Sequence, residues 1–176
     1  MDYYKKALYI PQVDEDDNVL GKVERWEAHK KGILHRGFTV ALVYKGRFIC
    51  QHRKHPVFDG VIDLTASSHP LYTNKTIQTI PDAATDTLKR EWNIDAASLS
   101  PLTFKGKVIY SSFDGTYTEH ELCHFYMAET DTLPTANLDF SYGFSLLTVE
   151  DFQKSNAPLM KALAPWVREA LNAHIL

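Results

Sequence analysis

Two glutamates in one strand-like run are the clearest candidates for chemistry in this sequence. Glu119 and Glu121 flank His120 within residues 116–127, whose composition predicts a β-strand. Because side chains alternate along a strand, both carboxylates project from the same face. Two carboxylates held that close repel each other unless a positive charge lies between them, and a divalent metal ion is the usual one. The pair therefore predicts one half of a metal site.

Three of the eight histidines could supply the other half. His29 and His35 lie on either side of Gly32, between a predicted helix and a predicted strand, and His69 directly follows another predicted strand. Imidazole and carboxylate ligands together suit Mn²⁺, Zn²⁺ or Fe²⁺ better than Ca²⁺. Surface histidines and exposed Glu-x-Glu faces are common, so spacing alone leaves a solvent-exposed role open for each residue. A metal site requires the three histidines to lie within about 8 Å of one another.

The elements that would position these residues are strands interrupted by helices. We predict helices over 24–31, 81–93 and 157–173, and loops over 70–80 and 130–142. The predicted strands cover residues 7–13, 19–23, 38–44, 47–52, 61–65, 103–111, 116–127 and 144–149. This order predicts an α/β (α+β) fold in which helices flank a mixed sheet, rather than a doubly wound parallel sheet.

Composition limits the class of protein. A chain of 176 residues with 44% hydrophobic and 23% charged residues predicts one globular domain over residues 1–176. The net charge of -3 and the pI of about 6.2 argue against a nucleic-acid binder with a broad basic face, but they allow a local basic pocket. Because neither a signal peptide nor a long apolar stretch is evident, we expect a cytoplasmic protein with no membrane partner. Cys50 and Cys123 lie in apolar runs and are expected to be buried free thiols.

Five short segments resemble the type I isopentenyl-diphosphate isomerases of the Nudix superfamily, in the family's order. Ala28–Phe38 is similar to the family's AHxxGLLHRAFS, Ser68–Leu71 to its CSHPL, Arg90–Ile94 to its xELGI, Glu119–Glu121 to its EHE and Ala164–Trp166 to its SPW. The first four matches lie within residues 10–128 at near-family spacing. The resemblance implies a Nudix-like mixed sheet in an α/β/α sandwich.

The resemblance also implies two metal ions. One tightly bound divalent ion, Mn²⁺ or Zn²⁺, would be held by His29, His35, His69, Glu119 and Glu121. Glu91 would serve a second ion, Mg²⁺, which bridges to the diphosphate of the substrate. A diphosphate carries about three negative charges, so both Mg²⁺ and basic side chains are expected around it.

Four further positions would contact the diphosphate. Arg25, Arg53 and Ser68 fall where the family binds phosphate, and Lys54 could assist. For Arg53 and Lys54, an ordinary role as solvated loop charges remains the alternative.

The implied catalytic residues are Ser67, Tyr110, Glu121 and Trp166. Isomerisation of a homoallylic diphosphate protonates a double bond and creates a carbocation, and Glu121 could deliver that proton. Tyr110 and Trp166 would line the reacting carbon skeleton, where a desolvated indole face stabilises a cation by up to about 2 kcal/mol. Core packing remains the alternative role for both aromatic residues.

The sequence departs from the family at three points. Ser67 occupies the position of the reactive cysteine, and a serine hydroxyl ionises far less readily than a thiol. The core of the Nudix box falls on residues 86–91, where only an apolar position and Glu91 are retained, and Thr87 occupies the position of a diphosphate-binding arginine. Asn93 replaces the glycine of the box.

Three functions remain open. The first is an isopentenyl-diphosphate isomerase of isoprenoid biosynthesis, which forms dimethylallyl diphosphate. The second is a Nudix hydrolase of another organic pyrophosphate, and the third is a non-catalytic diphosphate-binding homologue. A hydrolase uses several carboxylates of the box, so the retention of one favours the isomerase. Each function implies a small-molecule diphosphate as the partner, no nucleic acid, and a monomer or homodimer.

Overall fold

A computed structural model describes residues 3–73, 76–153 and 157–176. Its strands are β1 (Tyr9–Val13), β2 (Val19–Glu24), β3 (His35–Tyr44), β4 (Arg47–Arg53), β5 (Ala66–Ser68), β6 (Tyr72–Thr73), β7 (Thr76–Ile77), β8 (Thr103–Phe113), β9 (Thr118–Thr130) and β10 (Ser141–Leu147). Its α-helices are α1 (Arg25–Lys31), α2 (Ile80–Trp92), α3 (Val149–Gln153), α4 (Ala157–Ala162) and α5 (Pro165–Asn172).

Strand β3 is the centre of a mixed sheet. It pairs antiparallel with β1, β4 and β5 and parallel with β9. Strands β2, β8 and β10 extend the sheet through antiparallel pairs with β1, β9 and β4 respectively. The parallel register places His35 directly opposite Glu121. The predicted mixed sheet is confirmed, and the strand that carries the two glutamates lies beside the strand that begins with His35.

The side chains of β3 alternate between two hydrophobic layers. Phe38 and Leu42 pack in the same cluster as Trp92 of α2, whereas Ala41 packs in the cluster that contains Trp166 of α5. Because successive strand residues face opposite sides of a sheet, α2 and α5 cover opposite faces. The predicted arrangement of helices around the sheet is confirmed.

Helix α1 has well-defined ends, and they set the position of His29. The Glu24 carboxylate accepts a hydrogen bond from the backbone N–H of Glu27 at 3.0 Å and so caps the N-terminus. Gly32 ends the helix with a φ of 62°, a left-handed conformation that glycine adopts without a steric penalty. The predicted helix and its stop at Gly32 are confirmed.

Helix α2 begins after Thr79, whose hydroxyl accepts from the N–H of Asp82, and it ends at Asn93 in the left-handed conformation. Its buried face includes Leu88 and Trp92, as the apolar spacing predicts. Glu91, in the last turn of the helix, is also buried, although a carboxylate usually faces solvent.

The predicted strand over 61–65 is wrong. The strand in this region is β5, at Ala66–Ser68, and Ile62 forms only isolated bridges, to His52 and Leu163. The apolar run was misleading because it contains Asp63, whose carboxylate is buried and hydrogen-bonded to side chains. The predicted loop over 70–80 contains the short pair β6–β7, and residues 74 and 75 of that loop lie outside the described residues.

The predicted terminal helix over 157–173 is also wrong, because two helices occupy this segment. Pro165 has no backbone N–H and disfavours helical geometry in the residue before it. Ala164 accordingly has a ψ of 144°, and α5 begins at Pro165. The last strand, predicted over 144–149, is β10 at Ser141–Leu147, and Val149 begins α3.

Cys50 and Cys123 are buried free thiols, as predicted. None of the helices within residues 3–73, 76–153 and 157–176 has the length and hydrophobicity needed to cross a bilayer.

Candidate active site

One carboxylate oxygen of Glu119 lies at the centre of a buried cluster of three histidines. Glu119 Oε1 is 2.9 Å from His29 Nε2, 3.2 Å from His35 Nε2 and 3.8 Å from His69 Nε2. These four ligand atoms all lie within 4.8 Å of one another. Four separate parts of the fold supply them, namely α1, β3, the residue after β5, and β9. The histidines therefore satisfy the distance that a shared metal ion requires.

The hydrogen bonds of the histidine rings leave the inward nitrogens free to bind a cation. His29 Nδ1 donates to the carbonyl of Arg25 at 2.6 Å, and His35 Nδ1 donates to the carbonyl of Ile33 at 2.7 Å. In a neutral ring the other nitrogen, Nε2, then carries a lone pair. His35 Nε2 lies 3.2 Å from His69 Nε2 and beside Glu119 Oε1. Lone pairs that face one another in this way require a proton or a cation between them.

Electrostatics keep Glu119 negative. Burial alone would raise the pKa of Glu119, but His29, His35 and His69 hold that pKa well below its usual range. Burial lowers the pKa of His69, but hydrogen bonds to Glu119 and to Glu121 outweigh this effect and leave the pKa raised. Buried imidazoles around an ionised carboxylate are a donor set that fits a transition metal.

Glu121 lies beside the cluster rather than at its centre. Its Oε2 is 3.2 Å from His69 Nε2, and its Oε1 accepts a hydrogen bond from the Tyr110 hydroxyl at 3.4 Å. Both Glu119 and Glu121 lie near His69 Nε2, so they share a face of β9 as the alternation predicts. Gly37 of β3 leaves room for the Glu121 carboxylate, because a Cβ at this position would overlap it.

A cavity opens next to the cluster, and its walls contain most of the residues expected to act on the carbon skeleton. The described residues that line it are Arg53, Ser67, Ser68, His69, Tyr110, Glu119, Glu121 and Trp166. The Tyr110 and Trp166 rings lie 6.0 Å apart, and the Arg53 guanidinium lies 5.1 Å from the centre of a Trp166 ring. Aromatic, basic and acidic groups thus meet in one small space.

A second cavity shares several of these walls and is strongly basic. Arg25, Arg53 and Arg90 line it together with Ser67, Ser68 and Glu91. The Nε atoms of Arg25 and Arg90 are buried and have no hydrogen-bond partner among the described residues. The Glu91 carboxylate accepts from Arg90 at 2.9 Å and from the Gln51 amide at 3.2 Å. Three guanidinium groups, of which Arg25 and Arg90 have an unused donor, favour an anion with several oxygens.

Lys54 does not join either cavity. Its ammonium group donates to the carbonyl of Leu138 at 2.9 Å, and Lys54 lines a neighbouring surface depression with Asp59 and Tyr142. The structure therefore brings together all of the sequence-predicted site residues except Lys54.

Sequence reasoning missed Asp63 and Arg90. Asp63 contacts Ser67, Trp166 and Arg53, and an acid inside an otherwise apolar run was the signal that could have identified it. Arg90 lies one helical turn after Thr87, the position at which the family has an arginine. Its guanidinium donates to the Thr87 hydroxyl at 3.2 Å. The tyrosines of the turn Tyr3–Lys5 were missed as well, and their rings stack on Arg25 and Arg90.

Comparisons with known proteins agree with the fold described above and with the sequence resemblance. No family model matches the chain. The isopentenyl-diphosphate Delta-isomerase of Pectobacterium atrosepticum is 28% identical over 157 residues, which cover 88% of this chain and 84% of that protein. A crystal structure of a Deinococcus radiodurans protein superposes with a TM-score of 0.69 at 19% identity, covering 94% of this chain and 98% of that one. The MutT NUDIX hydrolase of Burkholderia pseudomallei superposes with a TM-score of 0.59 at 20% identity, covering 79% and 96% respectively. The protein therefore has the Nudix fold, and its sequence resembles the isopentenyl-diphosphate isomerases.

Proposed function

We propose that the protein is a metal-dependent enzyme that converts isopentenyl diphosphate to dimethylallyl diphosphate. The observation that carries this proposal is that the two cavities share five lining residues, namely Arg53, Ser67, Ser68, His69 and Glu119. A substrate with an anionic head and a short hydrocarbon tail could place the head among the arginines and the tail against Tyr110 and Trp166.

Each residue of the site has a distinct role in the proposed reaction. His29, His35, His69 and Glu119 would hold a transition metal, which would supply a fixed positive charge beside Glu121. Glu91 would share Mg²⁺ with the diphosphate oxygens, a mode of binding that Mg²⁺ commonly uses. Glu121 delivers a proton to the double bond, and the Tyr110 hydroxyl fixes the Glu121 carboxyl group by donating a hydrogen bond to Oε1. The Trp166 indole stabilises the resulting cation.

Hydrolysis of an organic pyrophosphate is the second candidate, and the serine at position 67 favours it. Activation of water for hydrolysis depends on several carboxylates near the phosphates. Of the described residues that line the basic cavity, Glu91 and Glu119 are the carboxylates, and Glu119 is already engaged by the histidines. This shortage of carboxylates makes isomerisation the better-supported reaction.

An assay with a panel of diphosphates tests the proposal. The purified protein, supplied with Mg²⁺ and with Mn²⁺ or Zn²⁺, is incubated in D₂O with isopentenyl diphosphate, dimethylallyl diphosphate or ADP-ribose. We expect deuterium incorporation and interconversion of the two five-carbon diphosphates, measured by NMR, without release of phosphate. Phosphate release without isomerisation would establish the hydrolase instead, and binding without turnover would establish a non-catalytic homologue.

Replacing Gly37 by alanine should lower isomerisation about 10-fold or more, because the new Cβ displaces the Glu121 carboxylate from His69 and Tyr110. Initial rates, together with metal content by elemental analysis, measure the effect. Gly21→Ala is the matched control, since Gly21 also lies in a strand but nothing surrounds its Cβ position within 4 Å. Equal rates for the two variants would show that the position of Glu121 is unimportant.

A further inference from the structure

Asp63 is a buried carboxylate that contacts two residues of the cavity wall and has no role in the mechanism above. The side chain of Ser67 lies within 3.0 Å of Asp63 Oδ1, and the Trp166 indole nitrogen lies within 2.6 Å of the same oxygen. Asp63 is only 1% exposed. A charged residue is rarely this buried without a specific set of partners.

Among the described residues, each group that contacts the Asp63 carboxylate is a hydrogen-bond donor. Oδ1 accepts from the Ser67 hydroxyl, the Trp166 indole and the backbone N–H of Leu64, and Oδ2 accepts from Arg53 at 3.3 Å. An ionised carboxylate can only accept, so Ser67 must donate its single hydroxyl proton to Asp63. The orientation of the Ser67 hydroxyl is therefore set by Asp63.

The remaining contacts of Ser67 leave one lone pair unused. A serine oxygen has one proton and two lone pairs. The Thr39 hydroxyl lies 2.9 Å from Ser67 Oγ and can donate to the first lone pair, and Thr39 Oγ1 is itself 3.4 Å from Cys123 Sγ. Since Ser67 lines the cavity, its second lone pair is available to a bound molecule.

On the basis of the proposed isomerase function, we propose that Asp63 and Ser67 form a proton relay that replaces a thiol as the base of the reaction. A C–H bond of the cationic carbon skeleton breaks, and its electron pair forms the new double bond. The proton moves to Ser67 Oγ while the hydroxyl proton of Ser67 moves to Asp63 Oδ1. The step ends with a neutral serine and a neutral Asp63, and it needs no further reactant. Asp63 acts through Ser67, so it is a positioning residue.

The surroundings of Asp63 suit this task. Burial raises the pKa of Asp63 to about 6, although Arg53 and the hydrogen bonds from Trp166 and Ser67 oppose the rise. The carboxylate is therefore ionised at pH 7 but is more basic than an ordinary aspartate.

The titratable neighbours of Asp63 do not change charge in the same range. The charged neighbour of Asp63 on β4 is Arg53. Burial raises the pKa of the Cys50 thiol to about 12, and it also raises the pKa of Cys123 on β9 and of Tyr110 on β8. A change in activity near pH 6 that is present in the wild type and absent in Asp63→Asn would thus report on Asp63.

A double-mutant cycle on the metal-loaded protein tests the relay. The variants are Asp63→Asn, Ser67→Cys and the double variant, and kcat/KM for isopentenyl diphosphate is measured from pH 5 to pH 8. At pH 7.5, Asp63→Asn should lower kcat about 100-fold or more with little change in KM, because proton transfer by a positioned base contributes about 10²- to 10⁴-fold. In the Ser67→Cys background, Asp63→Asn should lower kcat by less than about 3-fold, since a thiol ionises without help from the aspartate.

The pH profile provides a second, independent measurement. Wild-type kcat/KM should fall as the pH decreases through about 6, because protonation of Asp63 stops the relay. Ser67→Cys should shift this acid limb toward the range in which thiols ionise. Metal content measured at each pH excludes loss of the ion as the cause. Asp59→Asn, a change at an exposed aspartate of the neighbouring loop, is the control and should leave the profile unchanged.

The outcomes separate the two proposals. The wild type could isomerise isopentenyl diphosphate while Asp63→Asn lowers kcat by the same factor with serine and with cysteine at position 67. In that case the relay is wrong and Asp63 has only a structural role. A wild type that isomerises no diphosphate overturns the proposed function and the relay with it. If Asp63→Asn fails to fold, the wild-type and Ser67→Cys profiles still decide, because an unchanged acid limb in Ser67→Cys would contradict the relay.

Discussion

Replacing Glu119 by glutamine should abolish tight binding of the transition metal and lower isomerisation by well over 100-fold. Loss of an outer contact to a metal ligand costs about 10- to 100-fold in affinity or activity, and Glu119 would be a direct ligand. Its Oε1 faces all three histidine Nε2 atoms, and an amide in its place has no charge to offer the ion. Elemental analysis and metal titration by calorimetry would measure the loss.

Glu129→Gln provides the matched control for that experiment. Glu129 lies on the same strand, β9, but its side chain is exposed and far along the strand from the histidines. This variant should bind metal as the wild type does. If Glu119→Gln retained the same stoichiometry and affinity as Glu129→Gln, the assignment of the metal to this cluster would be wrong.

Replacing Arg53 by alanine should weaken both substrate binding and the fold. Arg53 lines both cavities, lies over Trp166 and is the guanidinium partner of Asp63. One lost hydrogen bond to a charged group corresponds to about 1.5–3 kcal/mol, so the Kd for a diphosphate should rise about 10- to 150-fold. Removing one partner of a buried ion pair costs about 3–5 kcal/mol of unfolding free energy. Calorimetry with a diphosphate and denaturant unfolding measure the two effects.

The loss of stability should depend on pH in a defined direction. The pKa of Asp63 is raised in the folded protein to about 6 from 3.8, so protonation of Asp63 favours the folded state and stability declines as the pH rises through this window. Without Arg53 the ionised carboxylate would be unpaired, which would raise this pKa further. The difference in stability between Arg53→Ala and wild type should therefore be larger at pH 8 than at pH 5.5. Arg47→Ala, at an exposed position of the same strand, should show neither effect.

Much of the fold could be predicted from the sequence, because helix ends and turns depend on the few residues that form them. Gly32 ended α1 and the turn around Gly115 joined β8 to β9, since both positions require a backbone that glycine adopts readily. The signals were less reliable at residues 61–65 and 157–173. In the first segment hydrophobicity could not distinguish a strand from an irregular buried stretch, and in the second Pro165 interrupted a continuous apolar pattern.

Those residues of the candidate site whose types and spacing form a recognisable pattern could be predicted from the sequence. Glu119 and Glu121 were placed on one face by strand periodicity alone. Lys54 was grouped with Arg53 because they are adjacent, but adjacent residues at a strand end face different surroundings, and only Arg53 is buried. Asp63 was missed as a site residue, because its contact with Trp166 joins positions 103 residues apart and the local signal was only an acid within an apolar run.

The parallel pairing of β3 with β9 has a consequence for when the proposed metal site could form during synthesis. Parallel neighbours need a long connection, and here His35 and Glu119 are 84 residues apart in the chain. A nascent chain that ends before β9 contains the three histidines but lacks the central carboxylate. An ion retained by all four side chains would therefore enter only after most of the polypeptide had left the ribosome. Metal loading would thus follow the pairing of β9 with β3, rather than nucleate the sheet.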